Sequence, residues 1–225
     1  MIGLNRERKY VLRRYLLLMA GLSVMAFGVA FSIKADLGTS PISSVPYVVS
    51  LFAPLTVGTA TIVMHCVFIL LQILILRKDY HPIQLMQLPV AFFFGYLTDF
   101  GVWAVQGISY GSYWQQWILC LIGILLVAVG VSMEVKAGVV VLAGEGVVLA
   151  ICKVFPVKFG NMKVGFDVTL VATACVLSLL FTGRLQGVRE GTVAAALLVG
   201  QIAKRLGKLM ERWRLEEVEM DVKTK

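Results

Sequence analysis

The densest run of polar, glycine and proline residues reads Lys34-Ala35-Asp36-Leu37-Gly38-Thr39-Ser40-Pro41, with Ser43 and Ser44 just beyond it. It leads into a short apolar stretch. Gly38 permits a backbone angle that other residues avoid. Ser40 is a natural helix cap, and Pro41 suits a first helical position, where its missing N–H leaves nothing unpaired. At membrane depth, the free N–H groups and dipole of such a helix start favour an anion. At a surface, the same residues make an ordinary capped turn. A second run, Glu134-Val135-Lys136-Ala137-Gly138, leads to Gly144-Glu145-Gly146. Glu145 lies between two glycines in an apolar stretch and needs a partner or water. Lys136 is the nearest candidate for an ion pair with it. Asp167 sits several residues inside a long apolar run, where a carboxylate marks a functional site by default. His65 is placed alike in an earlier run and reads as a side chain hydrogen-bonded to a neighbour. Arg189-Glu190-Gly191-Thr192 opens the last apolar run. Glu190 and Thr192 suit a helix first turn, and Arg189 can pair with Asp36 or Glu190.

The solute-binding candidates are therefore Lys34, Asp36, Gly38, Ser40, Ser43, Lys136, Glu145, Asp167, Arg189 and Glu190. Such groups can hold a small molecule or ion by charge and hydrogen bonds. No nucleophile–base pair, phosphate loop or metal-ligand spacing accompanies them. HExxH, GxSxG and GKT patterns are absent. The chain thus reads as a non-enzyme with no catalytic residue, cofactor or metal. The four cysteines, Cys66, Cys120, Cys152 and Cys175, all lie within apolar runs and read as reduced packing residues.

The elements that must position these groups follow from composition. Of the 225 residues, 59% are hydrophobic and 15% charged, and mean hydropathy is +0.85. An ordinary soluble domain is nearer half apolar and a quarter charged. Such a chain cannot cover itself in polar surface, which excludes a soluble enzyme, a disordered tail and a disulfide scaffold. An all-α integral membrane protein remains. Long apolar runs are expected to form spans at 12–33, 58–76, 85–105, 115–135, 162–182 and 190–208. The first is too long for a cleaved signal core and reads as a retained helix. Two further stretches are shorter: Ile42–Ala53, between Pro41 and Pro54, and Val141–Phe155, followed by Pro156. At 1.5 Å per residue they reach about 18–23 Å, short of a hydrocarbon core about 30 Å thick. They read as broken or re-entrant helices.

The chain also repeats itself at a shift of about 102 residues. Gly21 then meets Gly123, Gly28 meets Gly130, Lys34-Ala35 meets Lys136-Ala137, and Pro54 meets Pro156. Ser43 meets Glu145, and His65 meets Asp167. Paired glycines seven apart read as a close helix-packing seam. The division is a first half at 1–105, an external loop at 106–113, a second half at 114–210 and a polar cytoplasmic tail at 211–225. If the short helices are re-entrant, each half crosses three times and the second half is inverted. If they cross, there are eight crossings and the halves are parallel. Basic residues favour six crossings. With both termini cytoplasmic, only Lys34, Arg184 and Arg189 of 21 basic residues then fall outside. With eight crossings, Arg77, Lys78 and Lys136 join them. Tyr110, Tyr113, Trp114 and Trp117 flank the external loop as an aromatic belt would.

The motif from Ala35 to Pro41, with Val57-Gly58-Thr59 and Arg189-Glu190-Gly191-Thr192, resembles the YczE/YyaS/YitT group of bacterial multispanning membrane proteins. The YczE-like branch is nearest, and the resemblance spans about 10–208. It implies a multi-pass protein of the bacterial cytoplasmic membrane and no particular activity. Together with the repeat, it leads to the expectation of a small-solute transporter or permease. The alternative is a non-transporting accessory or regulatory membrane protein acting through a partner. The expected partners are the lipid bilayer, a small-molecule or ion substrate, and a second copy or a membrane protein. Nucleic acid is not among them, because the positive charge sits at the two ends of the chain rather than on a folded face.

Overall fold

The computed structural model describes residues 2–211, and those residues are helical, with no strand among them. The polar tail expected at 211–225 therefore lies, from residue 212 on, outside the described residues. Eight α-helices follow one another: α1 (Ile2–Ala35), α2 (Pro41–Phe52), α3 (Val57–Leu76), α4 (Gln87–Ala104), α5 (Tyr113–Ala137), α6 (Ala143–Val154), α7 (Phe159–Thr182) and α8 (Glu190–Glu211). Two 3₁₀ turns, Arg77–Asp79 and Pro82–Met86, join α3 to α4.

Five segments are long and apolar enough to cross a membrane: Val11–Ala35, Val57–Asp79, Pro82–Ala104, Tyr113–Ala137 and Phe159–Thr182. The sixth expected span, 190–208, forms as α8 but falls short of this standard. Lys204, Arg205 and Lys208 interrupt its second half. α2 and α6 are each 12 residues long, about 18 Å at the helical rise. Neither can span alone.

Small residues set the central contact. Gly21 lies against Gly130 and Met133, and Gly28 against Gly123 and Val127. As α1 advances, its partners on α5 step backwards, so the two helices run antiparallel. A Cβ at Gly28 would stand 2.6 Å from the Val127 nitrogen and 2.8 Å from the Gly123 carbonyl oxygen. Only a missing side chain allows this approach. Around the seam, Leu18, Leu22, Met25, Phe94 and Val127 form one buried apolar cluster.

Contacts at the helix ends sort the bundle into two poles. At the first pole, Lys34 Nζ donates to the Gln106 carbonyl (2.9 Å) and Tyr113 Oη to Glu190 (3.0 Å). There the Asp99 carboxylate accepts the Thr56 hydroxyl and the Gly58 N–H, both at 2.6 Å, so it closes the start of α3. Phe52 stacks on Phe181 at 4.4 Å. At the second pole, Arg14 donates to the carbonyls of Ala137 and Gly138, both at 2.6 Å. Lys136 Nζ donates to the Met210 carbonyl (2.6 Å) and Lys153 Nζ to that of Asp79 (3.4 Å). The chain therefore runs pole to pole six times, in α1, α3, α4, α5, α7 and α8. α2 and α6 begin inside the bundle and leave towards opposite poles.

Several element boundaries share one offset. α2 covers 41–52 and α6 143–154; α1 and α5 end at 35 and 137; α3 and α7 begin at 57 and 159. Each difference is 102. Packing follows the same pattern: α1 against α4 has its counterpart in α5 against α8, and α2 against α7 in α6 against α3. Two pairs depart from it. α3 packs on α4, whereas α7 and α8 do not close on each other among the described residues, and α2 touches α8 without a comparable contact between α6 and α4.

Candidate functional site

The two short helices start beside one cavity of about 250 Å³ in the middle of the bundle. α2 enters with Ser40, Pro41 and Ser43, and α6 with Leu142 and Glu145. Twelve of the wall residues form six pairs: Met25 with Val127, Val29 with Val131, Ser40 with Leu142, Ser43 with Glu145, Thr61 with Lys163, and His65 with Asp167. Each pair is separated by 102 positions in the chain. Phe94 from α4 and Val199 from α8 add to the apolar part of the wall. Val164 and Asp167 of α7 and Ala196 and Gly200 of α8 also line the cavity, although these two helices do not pack on each other among the described residues.

The polar groups in this wall have unequal partners. Glu134 is 2% exposed, and its Oε1 accepts the Leu142 N–H at 2.7 Å. That bond caps the start of α6, where the helix dipole also favours a carboxylate. Lys163 and Asp167, one helical turn apart on α7, form a 2.6 Å ion pair. The Ser40 hydroxyl donates to that of Ser43 at 3.1 Å. Glu145 makes no hydrogen bond or ion pair among the described residues, although Glu134, Lys163 and Asp167 are all within electrostatic reach. His65 is 1% exposed. Its ring lies between Phe68 and Phe94, with centroids 6.3 and 6.2 Å away, and its Nδ1 has no hydrogen-bond partner.

Four of the ten residues singled out in the sequence line this cavity: Ser40, Ser43, Glu145 and Asp167. Ser40 stands at the cap position of α2, with Pro41 first in the helix, but its hydroxyl makes no cap bond. Lys136 does not pair with Glu145; it reaches the Met210 carbonyl at the second pole. Lys34, Asp36, Gly38, Arg189 and Glu190 gather elsewhere, at the first pole, and make a joint between the halves. Arg189 Nη1 donates to the Asp36 carbonyl at 2.7 Å and lies 4.0 Å from its carboxylate. Arg189 Nη2 meets Glu190 at 3.2 Å. The Gly191 N–H donates to Leu37 O (2.8 Å) and the Thr39 N–H to Gly187 O (3.2 Å). Gly38 has φ +90°, and a Cβ there would stand 2.6 Å from the Arg189 nitrogen. The joint fastens the lead-in of α2 to the start of α8, so these residues place Ser40 and Ser43 rather than face the cavity themselves.

The charged residues overlooked in the sequence are Glu134 and Lys163. Both could have been found by applying the 102 shift to every polar residue, since they correspond to Ser32 and Thr61. The buried amide pair Gln72–Gln87 was not signalled at all. Its members exchange hydrogen bonds at 2.9 and 3.3 Å. Gln72 also donates to the Ala143 carbonyl at 3.1 Å and so holds the start of α6 against α3.

No metal-holding group of three or more His, Cys, Asp or Glu residues occurs among the described residues. No curated protein and no solved structure matches the chain. Residues 12–208, which take in every helix named above in whole or in large part, match DUF6198, a family of unknown function, and the chain belongs to that family.

Proposed function

We propose that this protein is a small-solute permease of the bacterial cytoplasmic membrane, built on an inverted two-fold repeat with both termini on the cytoplasmic side. One observation carries the reading: six pairs of residues, each 102 positions apart, line a single cavity where two half-length helices begin. Inverted-repeat transporters place their binding sites in this way, at the repeat interface near the midplane, beside the ends of broken helices. The antiparallel α1–α5 seam supports inversion, because parallel halves would carry these two helices in the same direction. Orientation follows from charge. Arg13, Arg14, Arg77, Lys78, Lys136 and Lys153 belong to the second pole, against Lys34, Arg184 and Arg189 at the first. Kinship with the YczE/YyaS/YitT group rests on the short motifs alone, and it supports the bacterial membrane setting.

Single cysteines at Thr61 and Val131, introduced one at a time without the native cysteines, test the reading. A permease exposes the cavity to each side in turn. A membrane-impermeant thiol reagent should therefore modify both positions in intact cells and in inside-out vesicles. Modification from one side only, or from neither, would overturn the proposal.

A further inference from the structure

We infer that the cavity binds a small organic ammonium ion bearing at least one N–H, with Glu145 as its counter-charge; the inference rests on the permease reading for where the ligand goes, and on the cavity alone for what the ligand is. Charge pairing leads to it. Three carboxylates and one ammonium group face the same 250 Å³. Glu134 is taken up by the Leu142 N–H, and Asp167 by Lys163. Glu145 is left over with no hydrogen bond or ion pair, in a wall whose remaining polar side chains are the hydroxyls of Ser40, Ser43 and Thr61 and the His65 imidazole, and whose other side chains are aliphatic, methionine and aromatic. A carboxylate in such surroundings calls for a positive partner.

A second group points to the same ligand independently. His65 sits in the same wall, 1% exposed, with Nδ1 unpartnered. A buried polar nitrogen without a partner is uncommon, and a neutral imidazole offers one ring nitrogen as an acceptor. Glu145 and His65 are therefore both matched by a group that carries positive charge and donates N–H bonds. A carboxylate ligand would face three like charges. A bare alkali ion would leave the apolar wall and the imidazole unused. The rest of the wall, with Met25, Met64 and Phe94, suits a short alkyl chain.

Titration calorimetry on the full chain in nanodiscs, with n-butylammonium as the probe, tests the inference. The expected result is saturable binding that weakens about thirtyfold or more in Glu145→Gln and is unchanged in Asp79→Asn, an exposed loop carboxylate. Glu145→Ser, which copies Ser43 of the other half, should lose binding equally and serves if the glutamine variant does not fold. Tetramethylammonium, which has no N–H, should bind more weakly than n-butylammonium, and His65→Leu should narrow that difference. No saturable binding, equal binding in both Glu145 variants, butyrate binding as well as the amine, or tetramethylammonium binding better would overturn it. Binding without flux in proteoliposomes would overturn the permease reading alone. Flux of other solutes without amine binding would overturn this inference alone.

Discussion

Alanine at Gly28 tests the antiparallel seam on which the inversion argument depends. Its Cβ would stand 2.6 Å from the Val127 nitrogen, and ordinary contact begins near 3.4 Å, so α1 and α5 must part locally by about 0.8 Å. Besides the Val127 Cγ2, the nearest neighbours are backbone atoms of a packed helix, which cannot rotate aside. Overpacking of this kind costs about 1–3 kcal/mol. For a chain of this size, that lowers the melting midpoint by about 2–12 °C. Cys120 supplies the assay, being 1% exposed and free. With the other three cysteines replaced, a thiol-reactive fluorophore reports unfolding as this one becomes accessible. Gly165→Ala is the control, since nothing lies within 4 Å of a Cβ at that position. Gly123→Ala should resemble Gly28→Ala, because each added methyl presses on the carbonyl of the other glycine. Once one methyl has parted the helices, the second meets less resistance, so the double variant should lose less than the two single losses added together. A Gly28→Ala variant that melts with the Gly165→Ala control would refute the close seam and the direction of α5 drawn from it.

Three further outcomes follow from the same structure. Cysteines at Ser109 and, separately, at Thr56 should both react with an impermeant thiol reagent from outside intact cells, because both belong to the first pole; protection of both would restore the eight-crossing arrangement. Glu134→Ala leaves the buried Leu142 N–H without its acceptor and should cost about 1.5–3 kcal/mol, whereas Glu134→Gln, which keeps an oxygen there, should cost clearly less in the same melting assay. Gly38→Ala sets a side chain at φ +90° against the Arg189 backbone and should cost about 1–3 kcal/mol; hydrogen exchange at the Gly191 and Thr39 amides, the donors of the joint, should rise, and unchanged exchange would mean that the joint does not hold the lead-in of α2.

Long apolar runs, short apolar runs ending at Pro54 and Pro156, and the 102-residue spacing of like residues are covalent facts of the chain, so helix number and the two half-length helices were legible in the sequence. Helix α1 begins ten residues before the expected 12, because the basic start carries no proline and a span can continue into solvent. α8 was overrated for the opposite reason: its length was right, but Lys204 and Arg205 shorten the part that lipid can cover. Site residues were harder. Lys34, Asp36, Arg189 and Glu190 drew attention as charges beside apolar runs, and that description fits a joint at a helix end as well as a binding wall. Separating the two takes the direction each side chain faces, which depends on how α1, α2 and α8 meet. Glu134 was overlooked because its position near the end of α5 reads as interfacial; tertiary packing buries it. The Gln72–Gln87 pair joins helices through a contact that no local pattern encodes.

The cavity draws its charged groups unevenly from the first and second halves of the chain. Glu134, Glu145, Lys163 and Asp167 all come from the second half, and their counterparts 102 positions earlier are Ser32, Ser43, Thr61 and His65. Ser32 turns back on its own helix and donates to the Gly28 carbonyl at 3.0 Å, so α2 starts without the carboxylate cap that Glu134 gives α6. The shared 102-residue spacing of α2 and α6 accompanies the meeting of two half-helices at one cavity. It does not explain why one is capped by charge and the other opens on hydroxyls. Packing alone would be served as well by small polar residues in both halves, as the first half shows. The added charges cost free energy to bury, and two of them, Lys163 and Asp167, largely satisfy each other. Glu145 does not have that compensation, and it occupies the position where the first half manages with Ser43. A residue that is costly, unpartnered and dispensable for the fold of its twin is better accounted for by a ligand than by stability.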